Sequence, residues 1–391
     1  MLPMNSSNLR VWSIICVLCV SSFIMVTTEF TPIGLLSQIS SDLKEVPSTV
    51  GLTVTLYAWL GAASGLMSNV LNRWVSRKTL LIGLMLVLAI SNCLSALSHA
   101  FVTLLFARAV GALAHGVFWA IVAATAASIV PAQRVGLATS IVLAGITLAT
   151  VLGVPLTNLL GQHYSWRIAF QCLAAVCAVS ACTIALIVPS IPIQTPTKGM
   201  NLASVLKRKD LMITYAITGL TAAAHFSAYT FVEPYIRHLP GITTNLVTLL
   251  LFLFGAAGFL GNVLSAIFLD RFLKEMLLIA LIFLSSTFGV LGGYGPELSI
   301  TSVTILLMIW GAAISTLFTG LQTWVLSISG RHTIPATAVH TAVLNSSIGI
   351  GVLIGGSVLS MIGTKGMMLS ASVIIIPGII LLLTTYNFKQ R

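Results

Sequence analysis

Twelve long apolar runs restrict this chain to very few folds. A stretch of about 20 apolar residues is long enough to cross a bilayer as an α-helix. The runs cover residues 11–38, 48–71, 79–97, 101–128, 134–160, 166–189, 211–237, 244–268, 275–295, 300–328, 333–358 and 365–387. Only 7% of the 391 residues are charged, whereas about 25% of an ordinary soluble domain is charged. The chain is therefore expected to lie in a membrane.

The backbone decides which membrane fold is available. Inside a bilayer every N–H and C=O group must find its partner within the protein, which leaves α-helices or a closed β-barrel. Barrel strands alternate apolar and polar residues over about ten positions, whereas the runs here are continuously apolar. The sequence predicts an all-α polytopic membrane protein with twelve transmembrane helices.

One connection is longer than the others and divides the chain. The segment 190–210 contains two prolines and a basic cluster at 207–209. The remaining connections are short turns, and none could hold a soluble domain. We expect an N-terminal six-helix half at 1–189, a cytoplasmic linker at 190–210 and a C-terminal six-helix half at 211–391.

An internal repeat supports this division. Leu-Asn-Arg at 71–73 recurs as Leu-Asp-Arg at 269–271, about half the chain length later. Chains built from two such halves are typical of transporters that bind substrate near the membrane midplane, where the repeats meet. The repeat therefore favours a carrier over a channel.

The basic residues predict the orientation, because cytoplasmic loops of membrane proteins carry an excess of Lys and Arg. If the N-terminus is cytoplasmic, four basic residues face outward and fourteen face the cytoplasm. The cytoplasmic ones are Arg10, Arg73, Arg77, Lys78, Arg134, Lys198, Lys207, Arg208, Lys209, Arg271, Lys274, Arg331, Lys389 and Arg391. Both termini are then cytoplasmic. The formal charge of +11 does not indicate nucleic acid, because these residues are scattered among short loops.

Enzyme motifs are not found in the sequence. All six cysteines lie in apolar runs, and the Cys16–Cys19 pair lacks a polar setting for redox chemistry. The chain has no HExxH or GxSxG motif. We therefore expect no enzymatic activity, no cofactor and no metal, although a membrane-embedded sensor or enzyme is the alternative class.

Glu29 is a carboxylate inside the first apolar run. A charge at the bilayer centre costs about 2.5–3.5 kcal/mol, so it rarely persists without a partner or a function. From the helical rise, Glu29 lies roughly 13 Å and Arg108 roughly 10 Å below the same membrane face. We predict that the two residues interact, directly or through water, and that protonation of Glu29 weakens the pair and couples transport to protons. The alternative is a static ion pair that fixes helix packing.

Five polar or aromatic residues near the bilayer centre are predicted to bind substrate. They are Tyr57, His115, His225, Tyr229 and Asn345. Together they offer hydrogen-bonding groups and aromatic faces, which suit a neutral polyol. The alternative for each is an interhelical hydrogen bond, which contributes about 0.6 kcal/mol on average. Packing is the more ordinary explanation for Trp59, Trp119, Trp310 and Gln322.

The segment 68–80 resembles the loop motif Gly-x-Leu-Ala-Asp-Arg-x-Gly-Arg-Arg-x-x-Leu of the major facilitator superfamily, which it matches at Arg73, Arg77 and Leu80. The second half keeps Asp270-Arg271 at the equivalent place. In that family the loop is a conformational latch that ties helix ends together in one state. The resemblance implies four latch residues, Arg73, Arg77, Asp270 and Arg271.

Four further segments resemble the bacterial sugar (arabinose-type) efflux permeases, which are drug/proton antiporters. They are Thr-Thr-Glu-Phe-Thr-Pro-Ile-Gly-Leu-Leu at 27–36, Arg-Ala-Val-Gly-Ala-Leu-Ala-His-Gly-Val-Phe-Trp at 108–119, Leu-Gly-Val-Pro-Leu at 152–156, and 224–234. The resemblance implies proton-coupled export of arabinose-like or thiogalactoside-like sugars by alternating access. It also implies a monomer in a bacterial inner membrane, with the sugar, protons and the lipid bilayer as its partners. Efflux of a drug or nucleoside by the same mechanism is the alternative.

Overall fold

The computed structural model describes the backbone of residues 6–71, 74–190 and 203–385, and nearly all of it is helical. Side chains are described from Arg10 onward except at 66–71, 132, 203, 204, 331 and 334. Arg73 and the linker residues 191–202 lie outside the described residues, so the predictions made for them stay predictions.

Eight helices precede the linker. They are α1 Ser6–Gly34, α2 Leu36–Leu43, α3 Pro47–Leu71, α4 Arg77–Ala96, α5 Phe101–Ser128, α6 Val135–Leu148, α7 Val154–His163 and α8 Trp166–Ile187. Serine caps start two of them: Ser76 accepts a hydrogen bond from the backbone of Thr79, and Ser165 accepts one from the backbone of Ile168. Such caps satisfy N–H groups that have no partner within the helix.

Six helices are described after residue 202. They are α9 Ala203–Leu206, α10 Lys209–Tyr229, α11 Val232–Arg237, α12 Thr244–Tyr294, α13 Ile300–Ser329 and α14 Thr333–Thr384. α12 and α14 each contain a break. The break in α12 is at Phe272, with φ −128° and ψ 39°, and the break in α14 is at Gly363, with φ +76°. Glycine adopts this positive φ without the steric strain that a side chain would cause.

The number of membrane crossings follows from these lengths. In the described part of the chain, nine helices are long and apolar enough to cross a bilayer, and the bent pair α2–α3 makes ten. Two of them, Thr244–Glu297 and Pro335–Thr384, have 54 and 50 residues, which is more than twice the length that one crossing needs. Counting each broken helix as two crossings gives twelve. The predicted all-α polytopic fold is confirmed, and the helix count is consistent with twelve.

A π-helical turn joins α6 to α7. It covers Ala149–Gly153 and directly precedes the segment that holds Pro155. Proline has no backbone N–H to donate, and its ring crowds the carbonyl four residues earlier. A wider turn removes that clash while the helix continues, so α6 and α7 together form one crossing.

The described residues divide into two compact units. The first lies within Met1–Gln38 and Leu56–Thr197, and the second within Ile39–Thr55 and Lys198–Arg391. The segment Ile39–Thr55 thus groups with the second unit, although it belongs to the first half by sequence. Its Thr55 hydroxyl donates to the carbonyl of Gly349 in α14 (3.4 Å). The predicted division into two halves and a linker stays a prediction.

Three of the predicted latch residues are described, and they lie at the start of α4 or beside the break in α12. Arg77 is the first residue of α4, and its Nη1 donates to the carbonyl of Ala124 in α5 (3.1 Å). Asp270 is exposed, and the Arg271 guanidinium lies 5.1 Å from the ring centre of Phe272, where α12 breaks. These contacts describe their surroundings, while the latch function itself stays a prediction.

Candidate functional site

A very close approach of α3 to α5 builds the first polar cluster. A Cβ atom added at Gly116 would overlap the carbonyl oxygen of Gly61, so the two backbones are in contact there. Tyr57 lies one turn before Gly61, and His115 directly precedes Gly116. As a result the Tyr57 and His115 rings meet edge to face, with centroids 5.2 Å apart.

Arg108 is fully buried in this cluster and is poorly satisfied. Its Nη2 donates to the backbone carbonyl of Glu29 (3.0 Å), and its guanidinium carbon lies 4.3 Å from the ring centre of Tyr57. The buried Nε and Nη1 have no hydrogen-bond partner among the described residues. The predicted contact between Glu29 and Arg108 therefore exists, but in this structure it runs through the Glu29 backbone. A buried cation with unused donors is costly for stability. The function of Arg108 in proton coupling stays a prediction.

The Glu29 carboxyl group faces His115. Glu29 is only 6% exposed, and its Oε2 lies 3.6 Å from Nε2 of His115. The Trp119 indole N–H donates to the same Nε2 (3.0 Å), and the buried Nδ1 of His115 has no partner among the described residues. Glu29 and His115 therefore form a titratable pair inside the first unit, and Trp119 is hydrogen-bonded to the His115 member of that pair.

Polar residues of α4 hold this cluster in place. The Ser91 hydroxyl donates to the carbonyl of Ala107, the residue before Arg108 (2.7 Å). The Asn92 amide donates to the hydroxyl of Thr28, the residue before Glu29 (3.2 Å). Both side chains are fully buried. These bonds hold the neighbours of Arg108 and Glu29 in place, one through the backbone of Ala107 and one through the side chain of Thr28.

An aromatic cluster surrounds His225 in the second unit. The His225 ring stacks on Tyr229, with centroids 4.9 Å apart and an interplanar angle of 18°. Phe254 stacks on Tyr229 in turn (5.1 Å, 23°), and the Trp310 indole N–H donates to Nδ1 of His225 (3.0 Å). A Cβ atom at Gly311 would overlap the Phe254 carbonyl oxygen, so close packing of α12 on α13 brings Trp310 into the cluster.

The structure thus sorts the five predicted substrate residues into different places. Tyr57 and His115 join the Glu29 cluster, whereas His225 and Tyr229 form the aromatic cluster. Asn345 is half-buried on α14, and its amide donates to the carbonyl of Thr341 one turn earlier (3.0 Å). Their function in substrate binding stays a prediction.

Two tryptophans contribute contacts that were not predicted. Trp119 follows His115 by four residues on α5, a spacing that places two side chains together on one helix face. That contact could have been found in the sequence. Trp310 is 85 residues from His225, so only the tertiary fold brings them together. A buried carboxylate, Glu233, pairs with Arg237 one turn later on α11.

Paired ionisable groups inside long apolar helices, in a chain that crosses the membrane many times, are typical of membrane transport proteins. Comparison with known families agrees with this class. The sequence matches the family described as "Major Facilitator Superfamily" over residues 18–334, which is most of the chain. The chain belongs to the Major Facilitator Superfamily.

Solved structures share this fold. The crystal structure of a mutant of the nucleoside transporter NupG is similar with a TM-score of 0.80 at 14% identity, covering 95% of this chain and 99% of that one. A bacterial homolog of the human lysosomal transporter Spinster, in an inward-facing and occupied conformation, is similar with a TM-score of 0.76 at 15% identity, covering 98% of both chains. At these identities the similarity establishes the fold.

Proposed function

We propose that this protein is a proton-coupled antiporter that exports small neutral sugars, arabinose-like or thiogalactoside-like, by alternating access across a bacterial inner membrane. The observation that carries the proposal is the setting of Glu29. Its carboxyl group is buried beside His115, while Arg108, bound to the backbone of Glu29, keeps two buried donors unused. A carboxyl group with two alternative partners can have different proton affinities in two conformations, and coupling requires that difference.

The aromatic cluster supports a neutral, ring-shaped substrate. His225, Tyr229, Phe254 and Trp310 offer flat aromatic faces and an imidazole, and none of them carries a fixed charge. Sugars present apolar C–H faces together with hydroxyl groups, so they suit such a lining. We assign His225, Tyr229 and Asn345 to the substrate, and Tyr57 and His115 to the proton-binding cluster around Glu29.

The alternative substrates, drugs or nucleosides, would use the same aromatic faces. The nucleoside transporter that shares the fold does so at 14% identity, so the similarity favours neither nucleosides nor sugars. A panel of pentoses, thiogalactosides, nucleosides and chloramphenicol-like compounds distinguishes these classes directly.

The test is transport in proteoliposomes with an imposed pH gradient. We expect the wild-type protein to accumulate a pentose or thiogalactoside against its gradient, and an uncoupler to abolish this. Glu29→Gln should lose uphill transport while it retains sugar exchange, because it cannot release a proton. Glu297→Gln is the matched control, since Glu297 is exposed beyond the end of α12. Uphill transport by Glu29→Gln at the wild-type rate would refute the coupling assignment.

A further inference from the structure

The Nε2 atom of His115 lies close to two groups, the Trp119 indole N–H and the Glu29 carboxyl group, which make different demands on its lone pair. The Trp119 indole N–H lies 3.0 Å away and needs a lone pair to donate into. The Glu29 Oε2 lies 3.6 Å away. A neutral imidazole has one N–H nitrogen and one acceptor nitrogen. If Nε2 accepts from Trp119, it carries no proton, and the proton of the ring is on Nδ1.

This arrangement determines which forms of Glu29 are stable at this position. A protonated carboxyl group can turn its O–H toward Nε2 and share the lone pair with Trp119. An ionised carboxylate instead faces that lone pair and is repelled by it, whereas the unused Nε and Nη1 of Arg108 would attract it. The proton could also move to Nε2, but the Trp119 hydrogen bond would then have to break.

We infer that Trp119 is a positioning residue that competes with the shared proton for Nε2 of His115 and thereby lowers the pH at which the Glu29–His115 pair is loaded. This inference deepens the proposed function and rests on it for its physiological meaning. Its chemistry is local to the cluster around Glu29, so it can be tested without transport.

The helices that pack around the Glu29–His115 pair bring other titratable groups close to it. Arg108 comes from α5, Tyr57 from α3 and Cys177 from α8, where Cys177 accepts from the Asn92 amide (3.5 Å). The α4 residues Ser91 and Asn92 do not titrate, and α6 carries no titratable side chain. A change at Trp119 leaves all of these groups in the protein, so a changed titration reports on the Nε2 hydrogen bond.

The test is an infrared titration of purified protein. The C=O stretch of a protonated glutamic acid is followed against pH, and the band that disappears in Glu29→Gln is assigned to Glu29. In Trp119→Phe we expect the midpoint of this band to move upward by about 0.4–1 pH unit, the net contribution of one hydrogen bond. The phenyl ring keeps an aromatic contact with Phe118, but it has no N–H to donate.

Two further variants make the result decisive. Replacement of Trp119 by 3-benzothienylalanine keeps the size and shape of indole and removes only the donor, so it should show the same upward shift even if Trp119→Phe folds poorly. Trp324→Phe, whose ring contacts Lys274 in the second unit, should keep the wild-type midpoint. An unchanged midpoint in the benzothienyl variant would overturn the inference. That result would leave the proposed function standing, because the latter fails only if Glu29→Gln still drives uphill transport.

Discussion

Replacement of Arg108 by methionine is expected to stabilise the fold while it abolishes proton coupling. Arg108 makes one hydrogen bond, to the Glu29 carbonyl, and two cation–π contacts, with Tyr57 (4.3 Å) and Phe170 (5.9 Å). Loss of these three contacts removes about 3–7 kcal/mol of favourable interaction. Against this, the buried charge carries a desolvation penalty of several kcal/mol, and each of its two unpartnered nitrogens, Nε and Nη1, adds about 1–3 kcal/mol.

The energetic cost of burying the Arg108 charge exceeds the energy of the contacts that it makes, so Arg108→Met should be more stable than the wild-type protein. Methionine fills a similar volume without a charge. Because Arg108 bonds a neutral backbone carbonyl, its removal leaves no ionised hydrogen-bond partner behind, and replacement of buried ionic groups by apolar residues under that condition stabilises proteins by about 1–4 kcal/mol. We therefore expect Arg108→Met to unfold at a temperature a few degrees higher in the same detergent, as followed by tryptophan fluorescence. The same variant should lose pH-driven sugar accumulation in proteoliposomes, since the ionised form of Glu29 loses its alternative partner.

Arg167 provides the matched control. It is half-buried at the start of α8, where its Nη2 donates to the Ser98 carbonyl (2.8 Å) and its guanidinium lies over the Trp166 ring (4.3 Å). Arg167→Met removes these contacts from a partly solvated cation and should lower the unfolding temperature. If Arg108→Met destabilised the protein as much as Arg167→Met does, Arg108 would be a structural ion, and the reasoning from its unused donors would be wrong.

Two further variants test the geometry of the clusters. Gly116→Ala should lower the unfolding temperature, because its Cβ would overlap the Gly61 carbonyl and force α3 away from α5. Such overpacking lowers the free energy of unfolding by about 1–3 kcal/mol. Gly136→Ala is the control and should not lower the unfolding temperature, since nothing lies within 4 Å of the added Cβ. His225→Ala should raise the KM for sugar by about tenfold, since it removes one hydrogen-bonding group that the proposed function assigns to the sugar. His163→Ala, at the exposed end of α7, should leave KM unchanged. An unchanged KM in His225→Ala would remove this cluster from the substrate site.

The crossings could be predicted from the sequence, because each apolar run must satisfy its own backbone in lipid. The breaks at Phe272 and Gly363 fall in the gaps between predicted runs. The short helix α2 was not predicted, since Leu36–Leu43 mixes polar and apolar residues at the end of the first run. Apolar patterning locates continuous crossings well, but it does not locate a short amphipathic helix next to one.

The candidate site was only partly predictable. Depth along a helix placed Glu29 and Arg108 at similar levels, and the structure brings them together. Depth alone does not show which atoms meet, so the use of the Glu29 backbone by Arg108 and the orientation of its carboxyl toward His115 required coordinates. The contact between Trp310 and His225 depends on how α13 packs on α10, which a single sequence does not encode in any local pattern.

The most direct test of the central claim is proton movement driven by substrate alone. Proteoliposomes are prepared without a pH gradient and with a pH-sensitive dye inside, and a sugar gradient is then imposed. We predict that the wild-type protein moves protons in the direction opposite to the sugar, and that Glu29→Gln exchanges sugar without moving protons. Proton movement in Glu29→Gln equal to that of the wild type would contradict the account.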